Sequence, residues 1–212
     1  MNLLVVAKAP QAGRSKTRLC PPCTPANAAA VAEAALADTL EVVAATGARP
    51  VLALSGPPGA WLPAGFRVLP QRGGGLDERL ANAWEDAGGG GVQIGMDTPQ
   101  VTSALLDWAL SALDVPGTGA VLGPAVDGGW WAIGLQRPDR RCFIGVPMST
   151  PSTGAAQRRR LAGLGLRVTD LPVMRDVDCF DDAEAVARAA PRTRFAAAVA
   201  AAAAAARSAA RR

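Results

Sequence analysis

Short apolar runs, each closed by Gly or Pro, alternate along this chain with Ala- and Leu-rich stretches of helical length. That alternation restricts the fold more than any other feature, because parallel strands need a crossover between them and a helix supplies it. Strands are expected at 3–7, 51–55, 66–69, 92–95, 119–123, 130–135 and 166–171. Helices are expected from Thr24, a cap followed by Pro25, to a stop at Gly47, then at 76–87, 150–162 and 181–190. A further helix carries Leu105, Leu106, Trp108, Ala109, Leu110 and Leu113. The class is α/β, with a mostly parallel central sheet and helices on both faces. The segment Gly123-Pro-Ala-Val-Asp127-Gly-Gly129 between two of the strands reads equally as a hairpin or a β-arch.

The chain of 212 residues is long enough for one domain, assigned to residues 1–190. Residues 191–212 are nearly all Ala and Arg, a composition that forms helix readily but offers no large side chain for anchoring; they read as a helical or frayed tail. The amino terminus, MNLLVVAKAP, has too short an apolar run for a signal segment or a membrane span, so a cytoplasmic protein with no membrane partner is expected.

The sequence contains no His, which removes Ser-His-Asp triads, His proton shuttles and every His-ligated metal site. Catalysis must then use carboxylates, Lys, Arg, Ser, Thr, Cys or a hard metal ion. The net charge of +4 owes three charges to Arg207, Arg211 and Arg212, and the remaining body is near balance. With few aromatics and no basic-aromatic surface motif, no nucleic-acid partner is expected. The Cys20-Pro-Pro-Cys23 spacing could serve redox chemistry or half a zinc site, but Cys142 and Cys179 are isolated, and a basic loop precedes the pair where a thioredoxin-type motif wants a strand. Reduced, incidental thiols are expected.

The first strand ends in Lys8-Ala9-Pro10-Gln-Ala-Gly13-Arg14-Ser-Lys16-Thr-Arg18-Leu19. The chain has twenty Arg and only two Lys, and both Lys fall in this loop. Lys presents a compact charge to one phosphate oxygen, whereas Arg presents a planar fork to two. A loop with Gly and four cations leaving the first strand's carboxyl end is suited to wrap a polyphosphate, although it lacks the spacing of a Walker A loop. The bland alternative is a solvated basic loop.

Carboxylates follow apolar segments at Asp97, Asp127, Asp176 and Asp178. Mg²⁺ or Mn²⁺ takes hard oxygen ligands, usually one or two carboxylates together with phosphate oxygens. Each Asp could equally cap a helix or turn, as Asp97 before Thr98-Pro99 would. Gly128 and Gly129 after Asp127 either let a backbone approach a ligand or make an ordinary tight turn.

Taken in order and spacing, AKAPQAGRSKTRL, IGMDTPQ, VLGPAVDGGWWAIGL and DVDCFDD resemble a bacterial family of GT-A-like nucleotide-diphospho-sugar transferases. Its members are named as glycosyltransferases of arsenosugar- or selenium-linked radical-SAM gene neighbourhoods, and the resemblance spans residues 2–190. It implies a Rossmann-like GT-A fold whose first loop (Lys8, Ala9, Pro10, Gly13, Arg14, Lys16, Arg18) holds nucleotide phosphates. It implies Asp97 and Asp178 as metal ligands, and places Gln71, Gly74 and Arg79 near the base or sugar. Lys16 and Asp97 would be catalytic, and Asp127, with Gly128, Gly129 and Trp130, would orient the acceptor or supply a base. Three departures surround the acceptor region and the last turn: Trp130 where Tyr is usual, Met148 where an aromatic is common, and Cys179-Phe180 in place of Thr-Pro. Ser15-Lys16-Thr17-Arg18-Leu19 is also similar to the guanylyltransferases of coenzyme F420 assembly. The expected activity is therefore metal-dependent transfer from a nucleotide sugar to a small-molecule acceptor. Nucleotidyl transfer from an NTP with release of pyrophosphate, and nucleotide binding without turnover, are the alternatives. A monomer or homodimer is expected.

Overall fold

The sheet has seven strands in the order β3-β2-β1-β4-β6-β5-β7. They are β1 (Asn2–Lys8), β2 (Arg49–Ser55), β3 (Arg67–Pro70), β4 (Gly91–Ile94), β5 (Ala120–Pro124), β6 (Trp130–Leu135) and β7 (Val168–Asp170). The computed structural model describes residues 1–210; Arg211 and Arg212 of the basic tail lie outside them. All strands run parallel except β6, which is antiparallel to both β4 and β5. The hairpin alternative for residues 119–135 is thus the one adopted, with an irregularity at Gly123 and Pro124.

Helices cover both faces. On one, α1 (Pro25–Ala44) and α3 (Ser103–Asp114) pack Leu36, Leu40, Leu106 and Leu113 on Leu3, Val5, Leu52, Val92 and Ile94. On the other, α2 (Leu76–Ala87) and α4 (Thr153–Gly163) pack Leu80, Trp84 and Leu161 on Leu4, Val51, Leu122 and Ile133. Strand alternation sends odd-numbered β1 residues to the first face and Leu4 to the second. Both faces are therefore apolar, as parallel strands require.

A third cluster lies on the outer side of α1. There α5 (Phe180–Ala189) and α6 (Arg194–Ala209) bury Val186, Phe195, Val199 and Ala202 against Ala28, Val31 and Ala35. This corrects the reading of the Ala/Arg-rich segment as lacking an anchor. Phe195 is 0% exposed, and full burial of such a side chain contributes about 1.5–3 kcal/mol. The helix start is capped twice. Thr193 Oγ1 accepts from the Ala196 amide at 3.1 Å, and Asp38 on α1 accepts from the amides of Arg194 (3.3 Å) and Phe195 (2.8 Å). No helix among the described residues is long and apolar enough to cross a membrane.

Candidate active site

β1 lies between β2 and β4, and the chain moves outward from β1 to β3 before returning to β4 on its other side. The order of connection reverses there, so the loops after β1 and β4 diverge and leave a crevice beyond the strands' carboxyl ends. A cleft of about 580 Å³ occupies this place. Lys8, Arg14, Lys16 and Arg18 line it from the β1 loop, Asp97 from the end of β4, Asp127, Gly129 and Trp130 from the β5–β6 hairpin, and Asp176 and Asp178 from the segment before α5.

The β1 loop is held by its own turn. The amides of Arg14 and Ser15 donate to the Gln11 carbonyl, and the Gln11 amide donates to Ser15 Oγ at 2.9 Å. Lys16 then adopts the left-handed conformation (φ 49°, ψ 40°) and starts a 3-10 turn over Thr17–Leu19. A residue with a Cβ holds that conformation at a cost of about 1–2 kcal/mol. The Lys16 side chain is only 12% exposed; its Nζ sits 2.7 Å from Asp97 Oδ1 and also donates to the Val177 carbonyl. The Val177 amide in turn donates to the Asp97 carbonyl at 2.8 Å. One lysine thus ties together three segments that are distant in sequence.

Val177 is 1% exposed in the third cluster, and alternation along extended backbone sends Asp176 and Asp178 to the opposite, cleft-lining side. They differ in surroundings. Asp178 is exposed and paired with Arg18 Nη1 at 2.5 Å. Asp176 is half-buried; burial, and then the neighbouring carboxylates of Asp127 and Asp97, push its carboxyl above the usual range against the opposing influence of Lys16. The late pair of aspartates therefore contributes Asp176 to the acidic centre, while Asp178 stands at the rim. The spacing Asp176-Val-Asp178, with the apolar residue between, carried the signal that both side chains share one face.

Gln71 and Arg79 reach the cleft. The Gln71 side chain donates to the carbonyls of Ala7 (2.8 Å) and Ala53 (3.0 Å), clamping the ends of β1 and β2. Ala9, Pro10, Gly13, Gly74 and Gly128 do not line it. Ala9 is buried against Gly56. Gly13 (φ +75°) turns the loop, and the Gly74 amide donates to Glu78. Gly128 serves packing: a Cβ there would stand 2.0 Å from the Pro151 carbonyl oxygen, and its own carbonyl accepts from the Gly154 amide at 2.8 Å. Gly128 of the hairpin and Gly154 of α4 thus let the two backbones approach each other, whereas a Cβ on Gly129 would meet only the Asp127 carboxylate. Asp127 Oδ1 accepts from the Gly129 amide at 2.7 Å within the same turn.

The donor set suits a hard divalent cation. Asp97, Asp127 and Asp176 all line the cleft, and the first two push the Asp176 carboxyl up, so each is close enough to feel the other's charge. Among the described residues no three acidic or Cys side chains stand close enough together to hold a metal ion by themselves. Outside the cleft, burial, and then Cys20, push the Cys23 thiol up.

A family model described as "Uncharacterized protein conserved in bacteria (DUF2064)" matches residues 27–150, a span that starts after the basic loop and ends before the late aspartates. Among solved structures, a protein named as a "putative nucleotide-diphospho-sugar transferase", from Desulfovibrio desulfuricans G20, is 25% identical and superposes with a TM-score of 0.85 over 98% of this chain and 97% of that one. CMP:2-keto-3-deoxy-manno-octonic acid synthetase in complex with CTP is 11% identical (TM-score 0.54, 88% and 97% covered). A cytidylyltransferase from Leptospira borgpetersenii serovar Hardjo-bovis is 12% identical (0.55, 86% and 83%). The last two establish the fold alone. No curated protein matches the chain.

Proposed function

The chain belongs to the family described as DUF2064, and for it we propose divalent-metal-dependent transfer of a sugar from a nucleotide sugar to a small-molecule acceptor. This is the class its loop and aspartate motifs resemble. The observation that carries the reading is the convergence of Lys16, Asp97 and Asp176 from three distant segments at the sheet's switch point. The name of the Desulfovibrio protein, similar over nearly the whole chain, supports the same class.

Lys8, Arg14, Lys16 and Arg18 hold the diphosphate. Lys16 and Arg18, now paired with Asp97 and Asp178, would exchange those carboxylates for phosphate oxygens, and Asp97 and Asp176 would be the residues to hold a divalent metal beside the diphosphate. A metal bound there would supply charge neutralisation to the diphosphate as it departs. Asp127 Oδ2, the oxygen not engaged by its own turn, takes the acceptor hydroxyl's proton as that oxygen bonds to the anomeric carbon. The bond from that carbon to the diphosphate breaks, and nucleoside diphosphate leaves.

The second reading, nucleotidyl transfer, is favoured by the segment Ser15–Leu19 and uses the same phosphate machinery. Incubation with UDP-, GDP- and CDP-sugars or with NTPs, each with Mg²⁺ or Mn²⁺, separates the two: nucleoside diphosphate marks glycosyl transfer, pyrophosphate the alternative. Lys16→Ala is expected to weaken nucleotide affinity at least tenfold, and Asp97→Asn to lower metal-dependent turnover at least a hundredfold. Unchanged affinity in the first, or full metal-dependent activity in the second, overturns the assignment.

A further inference from the structure

On the face of the sheet covered by α2 and α4, one register row runs Val51, Leu4, Gln93, Ile133, Leu122. Four are aliphatic and at most 2% exposed; the central one is a primary amide, also 2% exposed. Packing alone would place Leu or Val there. Instead Gln93 Oε1 is buried without a hydrogen-bond partner, a condition that costs stability and calls for a reason.

Gln93 lines the cleft, and so does Gly95 two residues further along β4's line. A Cβ on Gly95 would meet only the Asp97 amide nitrogen, at 3.9 Å, and its backbone stays outside the left-handed region. The backbone therefore does not demand glycine there; its effect is to leave the cleft open on the side of the strand that Gln93 also faces. Two more lining residues carry a buried polar atom without a partner, Thr98 Oγ1 after Asp97 and Trp130 Nε1, and of these Trp130 packs on the same apolar cluster as Leu4 and Ile133. Val6, Leu80 and Met148 supply apolar surface around them. The cations belong to the β1 loop, apart from Arg79, half-exposed on α2 and bonded to the Gly75 carbonyl.

We propose that this part of the cleft is the sugar subsite, and that Gln93 is a specificity-determining residue selecting a neutral, hydroxyl-bearing ring. The proposal rests on the nucleotide-sugar reading above and names the residue through which that site chooses its sugar. A hydroxyl both donates and accepts, which an amide matches with its carbonyl and its NH₂, while the indole N–H takes a second oxygen. The ring's C–H side lies on apolar surface, including the Trp130 face. A carboxylate or phosphate in the same place would lose its hydration without meeting a buried cation.

The test is calorimetric binding, with Mg²⁺ present, of UDP, GDP, CDP and ADP and of their glucose, galactose, mannose and N-acetylglucosamine conjugates. Wild type, Gln93→Leu and Gly95→Val are compared. Wild type should bind at least one conjugate more tightly than its nucleoside diphosphate. Gln93→Leu should bind that nucleoside diphosphate as wild type does and lose about tenfold for the conjugate. Gly95→Val, whose side chain would enter the cleft beside the Asp97 amide, should weaken conjugate binding at least as much. Equal affinity of wild type and Gln93→Leu for every conjugate overturns the subsite and leaves the nucleotide reading standing. Wild type binding no conjugate better than its nucleoside diphosphate also overturns the subsite. Binding of no nucleotide at all overturns both.

Discussion

Asp176 stands half-buried beside Asp127 and Asp97, with Lys16 as the cation that moderates their repulsion. Removing its charge should therefore help the fold and harm the chemistry, a common relation where a site is built from mutually unfavourable groups. Asp176→Asn is expected to raise Tm by a few degrees in chelator while metal-dependent turnover falls a hundredfold or more. A lower Tm would show that the carboxylate is not under electrostatic stress. The same residue marks a limit of the sequence. The order Asp176-Val-Asp178 is visible, and so is the pairing of two carboxylates on one face once Val177 is known to be buried. Which of the two sits at the centre depends on Arg18, which neutralises Asp178 from 160 positions away. Gln93 is the converse case: its identity was plain in the sequence, but its oddness appears only when Leu4 and Ile133 are seen beside it.

α2 shows what holds an element beside the cleft. Gly75 opens it, Gly88 (φ +68°) ends it, and its apolar stripe made it legible to the residue. Asp77 in its first turn accepts from the Gly145 amide at 3.0 Å, joining the helix start to the turn after Phe143. The Gly145 amide, and then that of Glu78, holds the Asp77 carboxyl below its usual range. A depressed carboxyl stabilises the fold above its unfolded value, near 3.8, and that contribution is lost as pH falls through the lower folded value. Asp77→Ala should thus lower Tm at pH 7 by a few degrees, with the gap to wild type closing on acidification below about pH 4. A gap that is constant with pH would assign the effect to packing. α4 was less legible. It begins at Thr153 rather than 150, because Thr150 Oγ1 takes the Ser152 amide and Thr153 Oγ1 takes the Thr150 amide, which stabilises a turn in place of the first helical residues.

The third cluster links the molecule's far side to its site. Phe195 and Val199 of α6, Val186 of α5 and Val31 of α1 share a core with Leu19 and Val177, the residues next to Arg18 and between the two late aspartates. Truncation after residue 190 would expose the outer face of α1 and strip Asp38, 8% exposed, of the helix start it caps. The shortened chain should unfold at a clearly lower denaturant midpoint, losing several kcal/mol, and bind nucleotide more weakly. A midpoint equal to that of the full chain would show that α6 adds nothing to the fold. The sequence by itself determined the strand and helix order, the α/β class, the concentration of lysines after β1 and the place of Asp97 at a strand end, since each is written in periodicity and punctuation within a short stretch. The tertiary structure alone decided the reversal of β6, the anchoring of α6, the lysine that bridges Asp97 to Val177 and which of the two late aspartates stands beside Asp97 and Asp127. Those outcomes rest on contacts between segments far apart in the chain, and a local pattern carries no information about its distant partner.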